Sequence, residues 1–439
     1  MELAETFESK RLKYAWACFY AITVIGVYIM NRSGVGRITT VLALSAVFWG
    51  VCLSLENVFL LITAVIPWGQ VFKVPNGYTA ATLLIFVFLV KSVVSYNKAM
   101  FHVSKLTFKI YASYLVCFTI SIIAALSNNS NISEVIPFYM EFLFVIVCIK
   151  VFANKNNMFE KAGTIYTIST LLMCFCSSLF PTLSRTLGNI SQYSSANPGF
   201  SSPWSFGRIT LVSISFIVVD YLSHHDHLLW KILTIAILLN YLIQSGRFSI
   251  LLGLAFLVAC LPIISKQKDY SIKQRVFVFI GMLALFIILL LVLYFFFYRD
   301  MVALRGTEAS DNGRFELWKT YLHYLGRKPL VVLFGIGGGA VSSFGMSLNT
   351  ESAHNILLEK LVELGVVGIV IAVYLFIRLY KSNKDTIRHN LYLIPLIAFL
   401  GTSLTQGTSG SQTFALLIIL CMCKDNNEVS ENQTPRENH

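Results

Sequence analysis

The chain alternates between long apolar runs and shorter polar stretches. Apolar runs lie near residues 14–30, 38–55, 57–72, 78–96, 108–126, 135–153, 164–181, 208–222, 227–243, 248–265, 276–298, 355–378, 391–404 and 411–423. Most of them reach or approach the ~18 residues that a helix needs to cross a bilayer. The third run and the last two are short. The pattern therefore predicts an all-α, polytopic integral membrane protein with about 12–14 transmembrane helices.

Composition supports this class. Hydrophobic residues make up 56% of the 439 residues, charged residues only 13%, and the mean hydropathy is +0.69. A soluble globular protein carries about 25% charged residues. The nine cysteines all lie within apolar runs or at their edges, so we expect neither a disulfide framework nor a zinc site.

The net charge of +12 is distributed as in membrane proteins. Lysines and arginines cluster in polar stretches at 10–13, 91–109, 150–161, 266–275 and 378–388. With fourteen spans and both termini in the cytoplasm, every cluster falls on the cytoplasmic side, as the positive-inside rule requires. This distribution argues against nucleic acid as a partner.

The same topology divides the chain into five segments. They are N-terminal transmembrane helices (1–204), helices that carry the first candidate arginines (205–298), a long outer loop (299–353), C-terminal transmembrane helices (354–423) and a polar cytoplasmic tail (424–439). A long polar loop is unusual in a chain that is otherwise apolar, and its presence indicates a function. We therefore expect the catalytic or binding residues in this loop and at the adjoining helix ends.

One part of the outer loop has helical periodicity. Phe315, Trp318, Leu322 and Leu325 recur at helical spacing, which predicts an amphipathic helix. It either lies in the outer membrane interface or packs on neighbouring spans. Both arrangements place Arg314 beside the membrane surface.

Four cationic or titratable residues fall at outer ends of apolar runs: Arg208, Arg247, Arg314 and His354. Arginine at membrane depth is costly unless it is paired or hydrated, and its planar fork suits phosphate oxygens. Several arginines in one outer pocket would indicate a phosphate or pyrophosphate ligand; the alternative for each is snorkelling at a helix end. His354 has the chemistry to accept a proton from an attacking hydroxyl, or it caps a helix.

The glycine-rich stretch 335–339 (GIGGG) is either a phosphate cradle or a turn that returns the chain to the membrane. It lacks the P-loop spacing and the Lys-Ser/Thr ending, which favours the turn. There is no DxD, HExxH or Cys/His cluster, and Asp300, Glu308 and Asp311 are scattered along the loop. We therefore expect a site without a metal or another cofactor.

Four pieces in this order resemble the O-antigen polymerase and O-antigen ligase superfamily. They are Ser245-Gly246-Arg247 before a long apolar run, Gly313-Arg314 through Trp318, residues 333–339 (LFGIGGG), and His354-Asn355 followed after nine residues by Gly365-Val-Val-Gly368. The resemblance covers about residues 205–380. Phe248-Ser249 follows Arg247 where small residues are commoner in the family, which leaves the acceptor type open.

The resemblance implies a function. Members of this superfamily are bacterial inner-membrane glycosyltransferases that work at the periplasmic face. They move a glycan from undecaprenyl diphosphate to an acceptor hydroxyl, without a metal. It implies that Arg247 and Arg314 hold the diphosphate and that His354 assists the acceptor, all three facing one cavity. Its motifs and the helix ends add five substrate-binding candidates: Arg208, Asn355, Trp318, Gly335 and Gly337.

Three functions remain open. A polymerase would join lipid-linked repeat units, whereas a ligase would transfer the polymer to lipid A–core. A lipid-linked oligosaccharide flippase or another transporter would place its polar residues at mid-bilayer, but here they gather at one face. We therefore expect an enzyme whose partners are the undecaprenyl-diphosphate-linked glycan and membrane lipid. A chain-length regulator protein is a further candidate partner.

Overall fold

The protein is described by a computed structural model. It covers residues 2–75, 78–95, 105–152, 155, 157–188, 197–245, 250–251, 253–258, 314–340, 355–383, 390–403 and 411–422, together with a set of residues between 271 and 291. Within these ranges the secondary structure is helical, apart from an isolated antiparallel bridge between Lys73 and Thr79.

The helices follow the predicted apolar runs. In chain order they are α1 (Glu2–Ser33), α2 (Gly36–Cys52), α3 (Leu55–Val65), α4 (Ala80–Val94), α5 (Lys105–Ser127), α6 (Ile132–Phe152), α7 (Met158–Leu179), α8 (Pro181–Gly188), α9 (Pro203–His224), α10 (Leu228–Gln244), α11 (Arg314–Arg327), α12 (Pro329–Phe334), α13 (Ile356–Asn383), α14 (Ile394–Ser403) and α15 (Ser411–Cys421). Short 3₁₀ helices, Ile66–Phe72 and Asn390–Leu393, follow α3 and precede α14.

Many of these helices can cross a membrane. Seven helices in the described part of the chain are long and apolar enough, and five shorter apolar helices accompany them. Residues 250–251 and 253–258 are helical too, within another apolar run. The prediction of an all-α, polytopic membrane protein is confirmed.

The short third run has a structural explanation. After α3 the chain tightens into the 3₁₀ helix, and Gly69 adopts φ +48°. The amide of Gln70 then donates to the carbonyl of Phe200 at 2.9 Å, and the fully buried Trp68 stacks on the Phe200 ring. This run therefore ends in a turn that is fixed by the segment before α9, rather than in regular helix.

Contacts between loops define two ends of the helix bundle. At one end, called the site end, the amide of Asn197 donates to the carbonyl of Gln244 at 2.9 Å, and the Tyr78 hydroxyl contacts the carbonyl of Ser133. At the other, called the opposite end, Lys91 donates to the carbonyl of Val51. The sequence predicts that successive loops lie on alternate sides of the membrane. The loops that contact each other at each end of the bundle agree with that prediction.

Helix α9 lies at the centre of the bundle and packs against α7, α10 and α14. Its buried polar side chains are satisfied by nearby groups. Thr210 donates to the carbonyl of Phe206 at 2.8 Å, and the Ser213 hydroxyl to that of Thr170 at 2.8 Å. Small hydroxyl residues allow membrane helices to approach closely without unpaired polar groups, so α9 is suited to carry a buried polar site.

Candidate active site

Helix α13 begins with a side-chain cap next to His354. The side-chain Oδ1 atom of Asn355 accepts hydrogen bonds from the backbone amides of Leu357 at 2.9 Å and Leu358 at 3.2 Å. The backbone carbonyl of Asn355 accepts a hydrogen bond from the amide of Glu359. Asparagine is a preferred residue at this position, because its side chain satisfies amides that the helix leaves unpaired. His354 itself lies outside the described residues, immediately before this cap.

Helix α13 is broken at Gly365, where φ is +63° and ψ is 178°. The carbonyls of Val362 and Glu363, just before the break, accept the amides of Ile336 at 2.9 Å and Gly337 at 3.1 Å. The glycine-rich turn therefore completes the hydrogen bonding that the break interrupts. This is how irregular backbone is tolerated inside a helical membrane protein.

The approach between the turn and the break depends on two glycines. A Cβ atom on Gly365 would lie 2.4 Å from the carbonyl oxygen of Leu333, and one on Gly335 would lie 2.2 Å from that of Glu363. Both glycines also have positive φ, which residues with a Cβ rarely adopt. The two backbones can meet in this way only if both positions are glycine.

The rest of the turn packs on α5 and α6. Gly338 donates its amide to the Ser121 hydroxyl at 2.6 Å, and a Cβ on Gly337 would meet the Cβ of Ala125 at 2.8 Å. Protein groups therefore already accept the amides of Gly337 and Gly338. This favours the turn over the phosphate cradle, and the assignment of Gly335 and Gly337 to substrate binding stays a prediction.

The same junction holds a buried charge pair. Glu363 is 3% exposed, and its carboxylate binds the ammonium group of Lys360 and the amide of Gly339. Lys360 also lies 4.8 Å from the centre of the Phe138 ring. A buried ion pair is tolerated when further hydrogen bonds compensate the lost hydration, as they do here.

The predicted amphipathic helix is present as α11, and Arg314 is its first residue. Only part of the predicted apolar stripe is packed within the protein. Tyr321 and Leu325 are buried against α12 and α13, whereas Leu322 is 57% exposed and Trp318 is partly buried. Neither α12 nor α13 covers Leu322, and an exposed leucine on this helix agrees with the alternative in which part of the predicted face lies in the membrane interface.

Arg208, one of the predicted residues, is deeply buried in the described structure. It is 2% exposed, its Nε donates to the Thr402 hydroxyl at 3.1 Å, and its guanidinium lies 4.7 Å from the centre of the Phe399 ring. The carboxylate of Glu359 and the hydroxyl of Tyr166 interact with it electrostatically. Burial of this kind excludes snorkelling at a helix end for Arg208.

Residues around Arg247 lie beside Gly207, which precedes Arg208 in the chain, although Arg247 itself is outside the described residues. A Cβ atom on Gly207 would be 2.8 Å from the Ser245 hydroxyl and 2.8 Å from a side-chain carbon of Ile250. Both flanks of Arg247 thus contact the residue next to Arg208. Most of the loop 299–353 and the tail 424–439 also lie outside the described residues.

Sequence reasoning missed several of these residues. Glu359 and Glu363 are 1% and 3% exposed on α13, and Thr402 contacts Arg208 from α14. The sequence did contain a feature that could have identified the two glutamates. Two carboxylates four residues apart in an apolar run are rare unless they have a function or a partner. Among the described residues no group of three or more His, Cys, Asp or Glu is placed to hold a metal ion, and metal independence stays a prediction.

Comparison with known proteins adds the family. Residues 232–373 match the family Wzy_C, described as O-antigen ligase. No curated protein and no solved structure matches this chain. The matched segment runs from α10 into α13, and Arg247, Arg314 and His354 all lie within it. This segment is therefore similar to the O-antigen ligase family, which implies a glycosyl-transferring membrane enzyme, and the resemblance to the O-antigen polymerase and ligase superfamily is confirmed.

Proposed function

We propose that the protein polymerises undecaprenyl-diphosphate-linked oligosaccharide repeat units at the periplasmic face of the bacterial inner membrane, without a metal. The observation that carries the proposal is the buried Arg208. Its neighbour Gly207 lies against Ser245 and Ile250, on the two sides of Arg247 in the sequence, and Arg208 itself interacts electrostatically with Glu359 on the helix that follows His354. The residues that the sequence selects for diphosphate and acceptor chemistry thus belong to neighbouring elements at one end of the bundle.

The reaction is a single displacement. A hydroxyl oxygen of the acceptor glycan attacks the anomeric carbon of the donor, and the bond from that carbon to the diphosphate oxygen breaks. Undecaprenyl diphosphate leaves, and the hydroxyl proton passes to the imidazole of His354. Because diphosphate is already a good leaving group, the main task of the protein is to stabilise the negative charge that grows on it.

Arginines supply that stabilisation. Arg247 and Arg314 contact the diphosphate oxygens with their planar forks, which give paired, charge-assisted hydrogen bonds. Arg208 contributes positive charge from a buried position, where electrostatic interactions are screened less than in water. This arrangement takes the role that a divalent cation has in many phosphate-transferring sites.

The position of His354 follows from the start of α13. Asn355 caps the helix, and the glycine-rich turn fixes the carbonyls of Val362 and Glu363 about two turns further on. A rigid support matters because a general base must lie within hydrogen-bond reach of the proton it removes. Trp318 on α11 and Asn355 then line the side of the site where the glycan enters.

The printed family description favours a second candidate, an O-antigen ligase that transfers the finished polymer to lipid A–core. The two reactions share the donor and the leaving group and differ in the acceptor. A flippase is a weaker alternative, because the described polar residues that sequence analysis selected gather at the site end rather than at mid-bilayer.

Complementation separates the candidates. The gene is introduced into a strain that lacks its O-antigen polymerase and into one that lacks its ligase, each supplied with a matching repeat unit. A polymerase restores the ladder of chain lengths in the first strain only. Restored transfer to core in the second strain would identify a ligase. Restoration in neither strain, with repeat-unit transport regained in a flippase-deficient strain, would identify a transporter.

A further inference from the structure

Helix α11 has a covered side and an exposed side. Tyr321 is fully buried and Leu325 is 5% exposed, and both belong to the cluster that packs α11 against α12 and α13. The opposite side carries Lys319, His323 and Arg327, which are all exposed. These three residues recur every four positions, so their side chains form one row along the helix. We call them the basic row.

The basic row lies at the site end of the bundle. After α12 the chain enters the glycine-rich turn, where a Cβ atom on Gly339 would lie 2.7 Å from the carbonyl oxygen of Glu134. Glu134 is in the first turn of α6, next to Ser133, whose contact with Tyr78 marks the site end. Helix α11 packs on α12 and α13, and its 14 residues are fewer than the ~20 that cross a bilayer. It therefore lies on the surface of the bundle near one membrane boundary.

The basic row is not balanced by carboxylates of its own segment. From Leu317 to Thr350 the chain contains Lys319, Arg327 and Lys328 but no aspartate or glutamate. No residue of the basic row forms an ion pair within the part of the chain that the structure describes. The charges of Lys319 and Arg327 are thus available to an anion outside the protein.

Apolar side chains are exposed beside the basic row. Leu322, next to His323 on α11, is 57% exposed. On α12, Leu330 is 69% exposed and Leu333 is 45% exposed. Exposed cations and exposed leucines on one surface are typical of a helix at the boundary between headgroups and hydrocarbon, because each kind of side chain meets a suitable environment there. Water alone would suit only the cations.

We propose that the basic row binds the headgroups of anionic phospholipids, with Leu322 and Leu330 among the acyl chains. Lys319 and Arg327, about 12 Å apart along the helix, donate charge-assisted hydrogen bonds to the headgroup oxygens. Phosphatidylcholine has the same phosphate, but its choline group cancels the charge. An anionic headgroup therefore attracts the row more strongly. The basic row has no part in the proposed glycosyl transfer, so this proposal stands or falls separately from the proposed function.

Hydrogen exchange of the full-length protein in nanodiscs tests the proposal. One preparation contains phosphatidylcholine alone, and the other contains equal parts of phosphatidylcholine and phosphatidylglycerol with identical acyl chains. We expect the amides of residues 317–327 to exchange about fivefold more slowly, or slower still, with phosphatidylglycerol, because each cation near an anionic surface strengthens the contact about fivefold. Helix α8, which contacts Asn197 at the same end and carries one arginine, should change much less. Equal exchange of α11 in both lipids, or an equal change in α8, would overturn the proposal.

A matched pair of double variants locates the contact. Lys319→Gln with Arg327→Gln should remove most of the effect of phosphatidylglycerol on α11. Arg32→Gln with Arg37→Gln removes the same charge from exposed positions of α1 and α2 and should leave the effect unchanged. An equal loss in both double variants would assign the effect to general charge and overturn the proposal.

Salt provides a test that needs no variant, in case the first double variant does not fold. Raising the ionic strength from about 0.1 M to about 1 M shortens the Debye length from about 10 Å to about 3 Å. The effect of phosphatidylglycerol on α11 of the unaltered protein should then largely disappear. An effect that salt leaves unchanged would contradict an electrostatic contact with headgroups.

A second copy of the protein is the alternative occupant of this surface. Its binding would slow the exchange of α11 as the protein concentration rises in detergent without phospholipid. We expect no such dependence on concentration. If it is observed, the basic row belongs to an interface between two copies, and the lipid proposal is wrong.

Discussion

The backbone amide of Gly337 donates a hydrogen bond to the carbonyl of Glu363 at 3.1 Å, two residues before α13 breaks at Gly365. Through this contact the glycine-rich turn holds the first half of α13, which begins directly after His354 and Asn355. The turn also bonds to α5 through Gly338. The first half of α13 is thus tied to the core of the bundle through the glycine-rich turn.

Gly365→Ala should reduce both stability and activity. The new Cβ would lie 2.4 Å from the carbonyl oxygen of Leu333, in a backbone conformation with φ +63°, and strain of this kind costs about 1–3 kcal/mol. The measurements are thermal unfolding and glycan transfer by the purified protein. Gly326→Ala is the matched control, because nothing lies within 4 Å of its Cβ position. An unchanged Gly365→Ala protein would show that the break does not depend on glycine.

Arg208→Lys should lower turnover about tenfold or more, although the charge is retained. Lysine cannot reproduce the bond from Nε to Thr402 together with the planar contact on Phe399. The assay is glycan transfer at saturating lipid-linked donor. Arg185→Lys is the control, since Arg185 is an exposed arginine on α8. Equal activity of the two variants would remove Arg208 from the site.

His354→Ala should abolish polymer formation and leave donor binding largely intact. Loss of a general base typically lowers the rate by ~10²–10⁴. Binding and turnover are scored separately with purified protein and lipid-linked repeat unit. His323→Ala changes an exposed histidine on α11 and should have little effect on either. Normal turnover by a folded His354→Ala protein would show that His354 has no catalytic role and only precedes the helix cap at Asn355.

Arg314→Ala should instead weaken donor binding, because it would remove the charge-assisted hydrogen bonds that we propose between Arg314 and the diphosphate. Arg314→Lys should restore binding only in part, since an ammonium group cannot form the paired contacts of a guanidinium. Donor affinity is measured by titration with the lipid-linked repeat unit. Arg327→Ala, at the exposed last residue of α11, is the control. If both arginine-to-alanine variants lose the same affinity, general charge rather than a specific contact explains the effect.

Activity should persist in excess EDTA, because we propose that arginines take the place of a divalent cation at the diphosphate. The measurement is glycan transfer by purified protein before and after dialysis against the chelator. Complete loss of activity that Mg²⁺ or Mn²⁺ restores would point to the loop carboxylates Asp300, Glu308 and Asp311 instead.

The sequence by itself determined the helices that can cross a membrane and the helical character of residues 314–325. Hydropathy reports these features because a bilayer imposes its thickness on each span separately. The run at 108–126 lies within α5, and the run at 135–153 nearly coincides with α6. The motif order also indicated the superfamily, which the match at 232–373 confirms.

Only the tertiary structure decided how deep the polar groups lie and which partners they have. Arg208 was expected near a helix end, but Thr402, 194 residues further along the chain, accepts its Nε–H inside the bundle. The break at Gly365 is satisfied by amides of residues 336 and 337, and the packed face of α11 is set by α12 and α13. Each of these features depends on a contact between separate elements, which hydrophobic periodicity along one helix cannot encode.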